Sequence, residues 1–467
     1  MKVGTLISLR SITALVSTAA ILACLGCAAG LPDVKSLLKE IPSGKKPAIA
    51  GSQGQLPEKR SDKLIERLES RTGGAELIEK NAVLMEMLSG HKLTTGNKAT
   101  LLVDGPAAFK AMLEAINGAK DHINIEIFTF EDDEVGRSFI GALIEKQRQG
   151  VMVNIIYDSA GSKNTPSSFF QPLVDLGGKV VEFNPINPLK LKGKKLIIHR
   201  DHRKLVIVDG KTAFTGGINF SSVYSGSSAS QKPEDKTTFG WRDTHVMLEG
   251  PVVAQCQSLF LDTWRKQKGP AVDRAGFFPH IEPQGSDLVM VIAGSPDNPD
   301  RTTYVMYVAA IMKAERSIHL TNSYFVPDHQ MTDALKSAAL RGVHVAIVLP
   351  GVSDVKMTLY AAQSHYEDLL EAGVKLYEHR DRVLHSKTAV IDGVWSTIGS
   401  TNLDLWSFVR NDEINAIVLG PDFASEMEDL FIKDTENSQE ILLDEWSERP
   451  LWDRVKQLFA RMISHLL

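Results

Sequence analysis

From residue 98 onward, short apolar stretches of two kinds alternate along the chain. Residues 123–127 alternate apolar and polar positions as a half-buried strand does, and residues 151–157 form a second predicted strand. Residues 135–148 and 169–176 instead space their apolar side chains as a helix does. Because strands alternate with helices, the pattern predicts an α/β layered fold.

The same series of segments occurs twice. Five pairs of segments match in one order: 123–133 with 318–328, 173–183 with 369–379, 202–209 with 385–392, 216–219 with 399–402, and 243–250 with 413–420. Five matches in one order indicate a tandem duplication. A Pro- and Lys-rich insertion before His202 is unique to the first half, and either contact with phospholipid headgroups or a solvated loop would explain it.

The duplication sets the expected domain boundaries. A first lobe is predicted over 96–275 and a second over 276–467, which includes C-terminal helices. Residues 28–95 are polar and rich in Pro, Gly and Lys, which predicts a tether with a short helical lead-in.

Residues 1–27 have the pattern of a signal segment. Lys2 and Arg10 precede an apolar run at 12–27 that is short for a membrane span. The sequence ILAC ends at Cys24 and resembles a bacterial lipobox, so Cys24 is the predicted lipidation site; an uncleaved anchor or a plain signal peptide is the alternative. We therefore expect a protein of the bacterial cell envelope, exported or lipid-anchored, that faces the periplasm.

Composition narrows the possible partners. Hydrophobic residues make up 43% of the chain and the net charge is −5, so no overall basic field favours nucleic acid. Cys256 stands alone in an apolar stretch and is expected to be a core residue. No group of His, Cys and acidic residues has a metal-ligand spacing, so neither a metal nor a cofactor is expected.

Each half contains the pattern His-x-Lys-x4-Asp. The residues are His202, Lys204 and Asp209 in the first half and His385, Lys387 and Asp392 in the second. On a regular strand the His and Lys share one face, while the Asp, at odd spacing, points to the other side. Each Asp is therefore expected to support the local structure of its motif.

Two histidines with two lysines suit phosphodiester transfer. One neutral imidazole can attack phosphorus and form a phosphohistidine, and the other can donate a proton to the departing alkoxide. Lys204 and Lys387 would bind the non-bridging oxygens, and Asn219 and Asn402 sit at equal distances after the two motifs to donate further hydrogen bonds.

A carboxylate is expected to orient each histidine. The repeat alignment places Asp243 and Glu413 at equivalent positions, where either could fix a histidine tautomer. Residues 324–328 could line a pocket wall, or Asp328 could cap the following helix.

The paired motifs resemble those of the phospholipase D superfamily, and the chain from about 101 to 452 resembles the bacterial cardiolipin synthases within it. The resemblance is carried by these segments: FEDD at 130–133, WRDTH at 241–245, YFVPD at 324–328, NLD at 402–404 and NDE at 411–413. It implies two lobes, each a mixed β-sheet flanked by helices, related by a pseudo-twofold axis with the active site between them. It also implies phosphatidyl transfer between two phosphatidylglycerols with release of glycerol, with His202 as nucleophile and His385 as general acid and base.

Two departures from the synthase pattern leave the acceptor open. Trp406 stands where many synthases have Arg, and one short apolar segment stands where many have two membrane spans. A phospholipase D that uses water and yields phosphatidic acid is the main alternative, followed by a nuclease or other phosphodiesterase, and by a non-enzymatic lipoprotein scaffold. The expected partners are phospholipid substrates and a membrane surface.

The last segment, from Leu451 to the end of the chain, predicts an amphipathic helix. Its apolar residues are expected to pack on the core; lying on a membrane is the alternative.

Overall fold

The structure is a computed structural model that describes residues 30–464, apart from residues 43, 73–74, 187–197, 227–239 and 273–274. The signal segment at 1–27, Cys24 and most of the insertion before His202 lie outside the described residues. Within the described part of the chain, no helix is both long enough and apolar enough to cross a membrane.

The chain begins with a small helical region. Its elements are α1 (Val34–Glu40), β1 (Ile49–Gly51), β2 (Gly54–Gln55), α2 (Glu58–Thr72) and α3 (Ala75–Ser89).

The first lobe follows. Its elements are β3 (Leu93–Val103), α4 (Asp104–Gly118), β4 (His122–Ile127), α5 (Glu134–Arg148), β5 (Met152–Asp158), α6 (Gln171–Asp175), β6 (Lys179–Phe183), β7 (Arg200–Asp201), β8 (Lys204–Val208), β9 (Thr212–Gly216), β10 (Thr244–Glu249) and α7 (Val253–Lys266).

The second lobe repeats this order. Its elements are β11 (Asp287–Gly294), α8 (Thr302–Lys313), β12 (Ser317–Asn322), α9 (His329–Leu340), β13 (His344–Pro350), α10 (Lys356–Gln363), α11 (Tyr366–Glu371), β14 (Lys375–His379), β15 (Lys387–Ile391), β16 (Trp395–Gly399), α12 (Leu405–Val409), β17 (Asn411–Leu419), α13 (Pro421–Glu436), β18 (Ser438–Ile441), α14 (Leu443–Ser447) and α15 (Leu451–Met462).

The sheets of the two lobes share one strand order. The first runs β3-β10-β9-β8-β4-β5-β6, and the second runs β11-β17-β16-β15-β12-β13-β14 with β18 added at its edge. In each sheet the last three shared strands are parallel and the others antiparallel, so both sheets are mixed. The equivalent edge strands β3 and β11 pair antiparallel, which is the pairing that a twofold relation produces. The prediction of two duplicated α/β lobes is confirmed.

A shared hydrophobic core joins the lobes. One apolar cluster contains Leu205 and Val246 of the first half together with Val289, Val390 and Ile414 of the second. Cys256 is fully buried in the same cluster, as a small core residue would be. Because interiors of this kind are close-packed, the cluster fixes the position of one motif relative to the other.

The region before the first lobe differs from the predicted tether over 28–95. Val34, Ile65 and Ile78 are completely buried in the core of the second lobe, where α1 and α3 pack on α8. Asn81 donates from Nδ2 to the Met306 carbonyl (3.2 Å) and accepts from Trp395 Nε1 (3.1 Å). The physical reason for the difference is that α8 is largely apolar around its whole circumference. Its first ten residues are all buried, so the face turned away from the sheet must pack against other helices. The segment 28–95 is polar when averaged over its length, and this average hid the buried apolar positions that make the contact.

The C-terminal helix also differs from expectation. Helix α15 forms where predicted, but the side that it buries carries Gln457 and Ala460. Its large apolar side chains are exposed instead: Leu451, Trp452, Val455, Leu458, Phe459 and Met462.

Candidate active site

Crossed backbone contacts bring the two motifs together. Strand β7 pairs in parallel with the start of β17, and the His202 amide donates to the Asp412 carbonyl (2.9 Å). In the equivalent contact the His385 amide donates to the Arg242 carbonyl (2.8 Å). Each histidine is thus fixed beside the residue that precedes the carboxylate of the opposite half.

Those carboxylates hold the imidazoles across the lobe boundary. Glu413 lies with its two oxygens 3.0 and 3.1 Å from His202 Nδ1, and Asp243 Oδ2 lies 2.8 Å from His385 Nδ1. Both carboxylates are fully buried. The sequence predicted orienting acids at these two positions; the structure shows that each acts on the histidine of the other half.

The two carboxylates differ in how they are held. Glu413 accepts a hydrogen bond from the Ser400 hydroxyl, whereas Asp243 accepts from the Thr244 amide (2.7 Å). Gly217 occupies the position matched to Ser400, and a β-carbon there would lie 2.2 Å from Asp243 Oδ1. The glycine therefore leaves the space that the aspartate carboxylate fills.

Both lysines are buried beside their histidines. Lys204 Nζ donates to the His202 carbonyl (2.6 Å), and Lys387 Nζ donates to the His385 carbonyl and to Ser323 Oγ (2.9 Å). Burial lowers the pKa of Lys204 to about 7 and that of Lys387 to about 8. A bound anion would raise both pKa values, because an opposite charge favours the ammonium form.

The histidines respond to the same environment. Burial lowers the pKa of His202, although Glu413 acts in the opposite direction. Burial and the ammonium of Lys387 lower the pKa of His385 well below its ordinary value, while burial raises the pKa of Asp243 to about 6. Before an anion binds, the site therefore favours neutral imidazoles, the form that can act as a nucleophile.

The matched asparagines lie beside the histidines on the cavity wall. Asn219 accepts from the Thr129 amide (3.0 Å) and donates to Tyr224 Oη (3.0 Å). Asn402 accepts from Ser323 Oγ (2.8 Å). Both side chains line the same cavity as His202 and His385.

The motif aspartates lie at the opposite end of their strands. Asp209 accepts hydrogen bonds from the amides of Lys120, Asp121 and His122 at 2.8 to 3.0 Å. Asp392 accepts from the equivalent amides of residues 315–317 at 2.8 to 3.0 Å. Both residues have a positive φ, 53° and 55°, in the turn after the motif strand. Each carboxylate therefore fastens this turn to the segment that enters the neighbouring strand.

One cavity of about 680 Å³ contains both histidines and both asparagines. Its wall also includes aromatic and acidic side chains, which are Phe128, Tyr224, Trp241, Tyr324, Trp406, Glu131, Asp354 and Asp404. Tyr324 Oη donates to Asp354 (2.7 Å), and burial raises the pKa of Asp404 to about 7. The segment 324–328 fulfils both predicted roles, since Tyr324 lines the cavity and Asp328 caps α9.

Several of these side chains were missed from the sequence. Tyr224 Oη lies 3.3 Å from His385 Nδ1, and the Trp241 ring centroid lies 4.9 Å from that of His385. Phe128 lies beneath Lys204 Nζ at 5.0 Å and occupies the repeat position of Ser323, which accepts from Lys387. The repeat register was the available signal, because matched positions contact matched lysines. The same register shows a difference between the halves, since Lys204 contacts an aromatic ring where Lys387 contacts a hydroxyl.

The departure at Trp406 has a structural counterpart. The Arg410 guanidinium lies over the Trp406 ring at 4.8 Å, so a positive charge lies next to the position where many synthases have Arg. Among the described residues, no group of three His, Cys, Asp or Glu side chains is arranged to bind a metal ion.

Comparison with known proteins gives consistent matches. The family model described as "Cardiolipin synthase, PLD-like domain" matches residues 112–227 and 307–435, one range in each half. Cardiolipin synthase 2 of Bacillus anthracis is 34% identical over 425 residues, which cover 91% of this chain and 80% of that protein. The major cardiolipin synthase of Bacillus subtilis is 33% identical over 394 residues, 83% of this chain and 79% of that protein.

A solved structure supports the fold independently. Phosphatidylserine synthase of Haemophilus influenzae superposes with a TM-score of 0.55 at 13% identity, covering 79% of this chain and 95% of that one.

Proposed function

The chain belongs to the cardiolipin synthase family of phospholipase D-like enzymes, and on that premise we propose that it transfers a phosphatidyl group from one phosphatidylglycerol to another and releases glycerol. The observation that carries the proposal is the pair of histidines in one cavity, each held by the buried carboxylate of the opposite half.

In the first step His202 Nε2 attacks the phosphorus of the donor lipid. A nitrogen–phosphorus bond forms and the bond from phosphorus to the glycerol oxygen breaks. His385, which the phosphate anion of the bound lipid keeps protonated, donates a proton to the departing alkoxide. Glu413 accepts from His202 Nδ1, so it fixes the tautomer with Nε2 free to attack and stabilises the positive charge that develops on the ring.

In the second step His385 accepts the proton from a primary hydroxyl of the second phosphatidylglycerol. That oxygen attacks phosphorus, the nitrogen–phosphorus bond breaks, and cardiolipin leaves with His202 neutral again. Lys204 and Lys387 offset the charge on the non-bridging oxygens in both steps, and Asn219 and Asn402 orient the phosphate group.

The polar wall of the cavity supports this assignment of roles. Tyr324 lies edge-on to His385 with ring centroids 6.2 Å apart, and Tyr324 donates to Asp354. A hydroxyl-rich glycerol unit finds hydrogen-bond acceptors there, beside the histidine that must exchange a proton with it. The opposite histidine, His202, packs against the apolar Phe128 ring at 4.9 Å.

A lipid hydroxyl is the proposed acceptor, because aromatic and aliphatic side chains line much of the cavity. Phe128, Trp241 and Trp406 line it together with the aliphatic Val223 and Val355. Such walls disfavour water near the phosphohistidine and give apolar surface to a lipid.

Product identification tests the reaction. Purified protein receives labelled phosphatidylglycerol, with and without excess phosphatidylethanolamine or glycerol, and the lipids are separated. The proposal predicts that labelled cardiolipin forms, and that excess glycerol lowers its yield by driving the transfer back toward phosphatidylglycerol. Phosphatidic acid as the main product would instead show hydrolysis, and turnover of DNA or a phosphodiester dye without lipid turnover would show another phosphodiesterase.

We also propose that the enzyme acts at the bacterial cell envelope, exported and anchored through a lipid on Cys24. Support comes from the lipobox-like sequence that ends at Cys24 and from the lipid substrates of the proposed reaction. Metabolic labelling with palmitate tests it: label should enter the protein and be absent from Cys24→Ser. Equal labelling of both proteins would exclude this lipidation site.

A further inference from the structure

Helix α15 presents its apolar side to solvent. Leu451, Trp452, Val455, Leu458, Phe459 and Met462 are each between 45% and 77% exposed. Their spacing of three, four and seven residues places them on one face of the helix. Single exposed apolar residues are ordinary, but a contiguous patch of this kind marks an interaction surface.

The opposite face of α15 fixes this orientation. Ala460 packs in a small cluster with Ala361 and Val326, and Gln457 accepts from Arg449 Nε (2.9 Å). Lys456 Nζ lies over the Tyr360 ring at 5.5 Å. Small and polar side chains therefore make the contact with the protein, and the large apolar ones point outward.

Helix α10 connects α15 with the cavity of the active site. Helix α15 packs on α10, and residues Val355 and Thr358 at the start of α10 line the catalytic cavity. Val355 is itself exposed, as is Val223 on the cavity wall. Exposed apolar side chains thus occur both at the cavity wall and on the helix that packs against α10.

The start of the described chain lies beside the end of the same helix. Gly30 and Leu31 line a second cavity together with Arg461 and Ser464. In the sequence, the apolar run at 12–27 ends shortly before Gly30. The described part of the chain therefore begins beside the C-terminal end of α15.

The charges on α15 indicate what covers it. Helix α15 carries three basic residues, Arg454, Lys456 and Arg461, and one acid, Asp453. Asp453 pairs with Lys456 (2.9 Å), and Arg461 lies 3.6 Å from Asp368 of α11. Arg454 and Arg461 are exposed at the edges of the apolar face. Apolar residues flanked by arginine are the composition of a helix that lies in the interface of an anionic bilayer.

We propose that α15 is an interfacial helix that docks the enzyme on an anionic phospholipid bilayer and turns the entrance of the active site toward the lipid surface. The inference rests on the proposed function, since phosphatidylglycerol is an anionic lipid that must reach the cavity from a bilayer. It adds the surface that makes this contact.

The test compares two matched double variants of the full chain. Leu458→Ser/Phe459→Ser removes two apolar residues from α15, and Leu340→Ser/Phe278→Ser removes the same residue types, also exposed, at sites away from it. Cardiolipin formation is measured on phosphatidylglycerol vesicles and on short-chain phosphatidylglycerol dispersed as monomers. Brominated phosphatidylglycerol vesicles probe insertion directly, because bromine quenches the fluorescence of Trp452 and the Trp452→Phe variant gives the background.

The α15 variant should lose about tenfold or more of its turnover on vesicles, retain its turnover on monomers, and show little quenching. The Leu340/Phe278 variant should match the unmodified protein in all three measurements. Equal behaviour of the two variants would overturn the proposal, as would equal losses of turnover on vesicles and on monomers. The proposal would also fail if the unmodified protein formed a dimer in solution that the α15 changes convert to monomers, because the apolar face would then bind a second copy of the chain. Quenching of Trp452 without any cardiolipin from either substrate would support docking and contradict the proposed reaction.

Discussion

Replacing Glu413 by Gln should abolish most of the activity while preserving the fold. Glu413 is fully buried, and its two oxygens lie 3.0 and 3.1 Å from His202 Nδ1. The amide keeps the size of the side chain but removes the charge that stabilises the protonated imidazole. It can also present its NH2 group to Nδ1 and so favour the wrong tautomer.

The magnitude follows from this geometry. Burial favours a neutral His202 before reaction, so the buried charge pair with Glu413 exists only once positive charge develops on the ring. Losing one partner of such a pair costs about 3–5 kcal/mol, and here that cost falls on the transition state. At about 1.4 kcal/mol per factor of ten, kcat should fall roughly 10²- to 10³-fold or more. The loss of the negative charge also lowers the pKa of Lys204 further, since Glu413 is the strongest influence that raises it. KM for the anionic lipid should therefore rise as well.

The assay is the initial rate of cardiolipin formation from phosphatidylglycerol, with circular dichroism to show that the variant is folded. Glu428→Gln is the matched control, because Glu428 contacts His319 Nδ1 on the surface of the second lobe. It should retain activity. A folded Glu413→Gln enzyme with more than half of the original kcat would refute the role of the crossed carboxylate.

Three further changes test other parts of the structure. Asp209→Asn should lower the free energy of unfolding by about 2 kcal/mol in urea titrations and leave kcat unchanged. The reason is that the Asp209 carboxylate accepts hydrogen bonds from three backbone amides away from the cavity. A variant with an intact fold and a lost kcat would contradict this. Asn81→Ala should cost about 2–3 kcal/mol in the same assay by leaving the indole NH of Trp395 without its buried partner, and an unchanged midpoint would show that the N-terminal helices contribute little. KM for phosphatidylglycerol should rise as pH increases through about 7 to 8, because the lysines bind the anion only when they are protonated. Burial has lowered the pKa of Lys204 to about 7 and that of Lys387 to about 8. A KM that stays flat to pH 9 would show that these lysines do not bind the phosphate.

The duplication made most of the fold predictable from the sequence. Matched segments fixed the number of lobes and placed Asp243 and Glu413 at equivalent positions. A repeat cannot show whether each acid serves the histidine of its own half or of the other, because both solutions satisfy the same spacing. The pairing of β7 with β17 decides this, and it involves residues more than 200 positions apart.

Two regions were less predictable because their neighbours decide their structure. The segment before the first lobe is polar when averaged over its whole length, and only the burial of α8 reveals that two of its helices cover α8. The periodicity of α15 predicted a helix correctly, but periodicity does not say which face meets the protein. There the small side chain of Ala460, which fits against Ala361, determined the orientation.

The central claim is that one histidine of the shared cavity carries the phosphatidyl group. Protein mixed with labelled phosphatidylglycerol and quenched within one turnover should yield a phosphohistidine in the peptide that contains His202, as shown by mass spectrometry under alkaline conditions. The label should be absent from His202→Ala. In His385→Ala the glycerol must leave without a proton donor, so the labelled intermediate should form only slowly. Cardiolipin formation by His202→Ala, or label on a peptide without either histidine, would contradict the account.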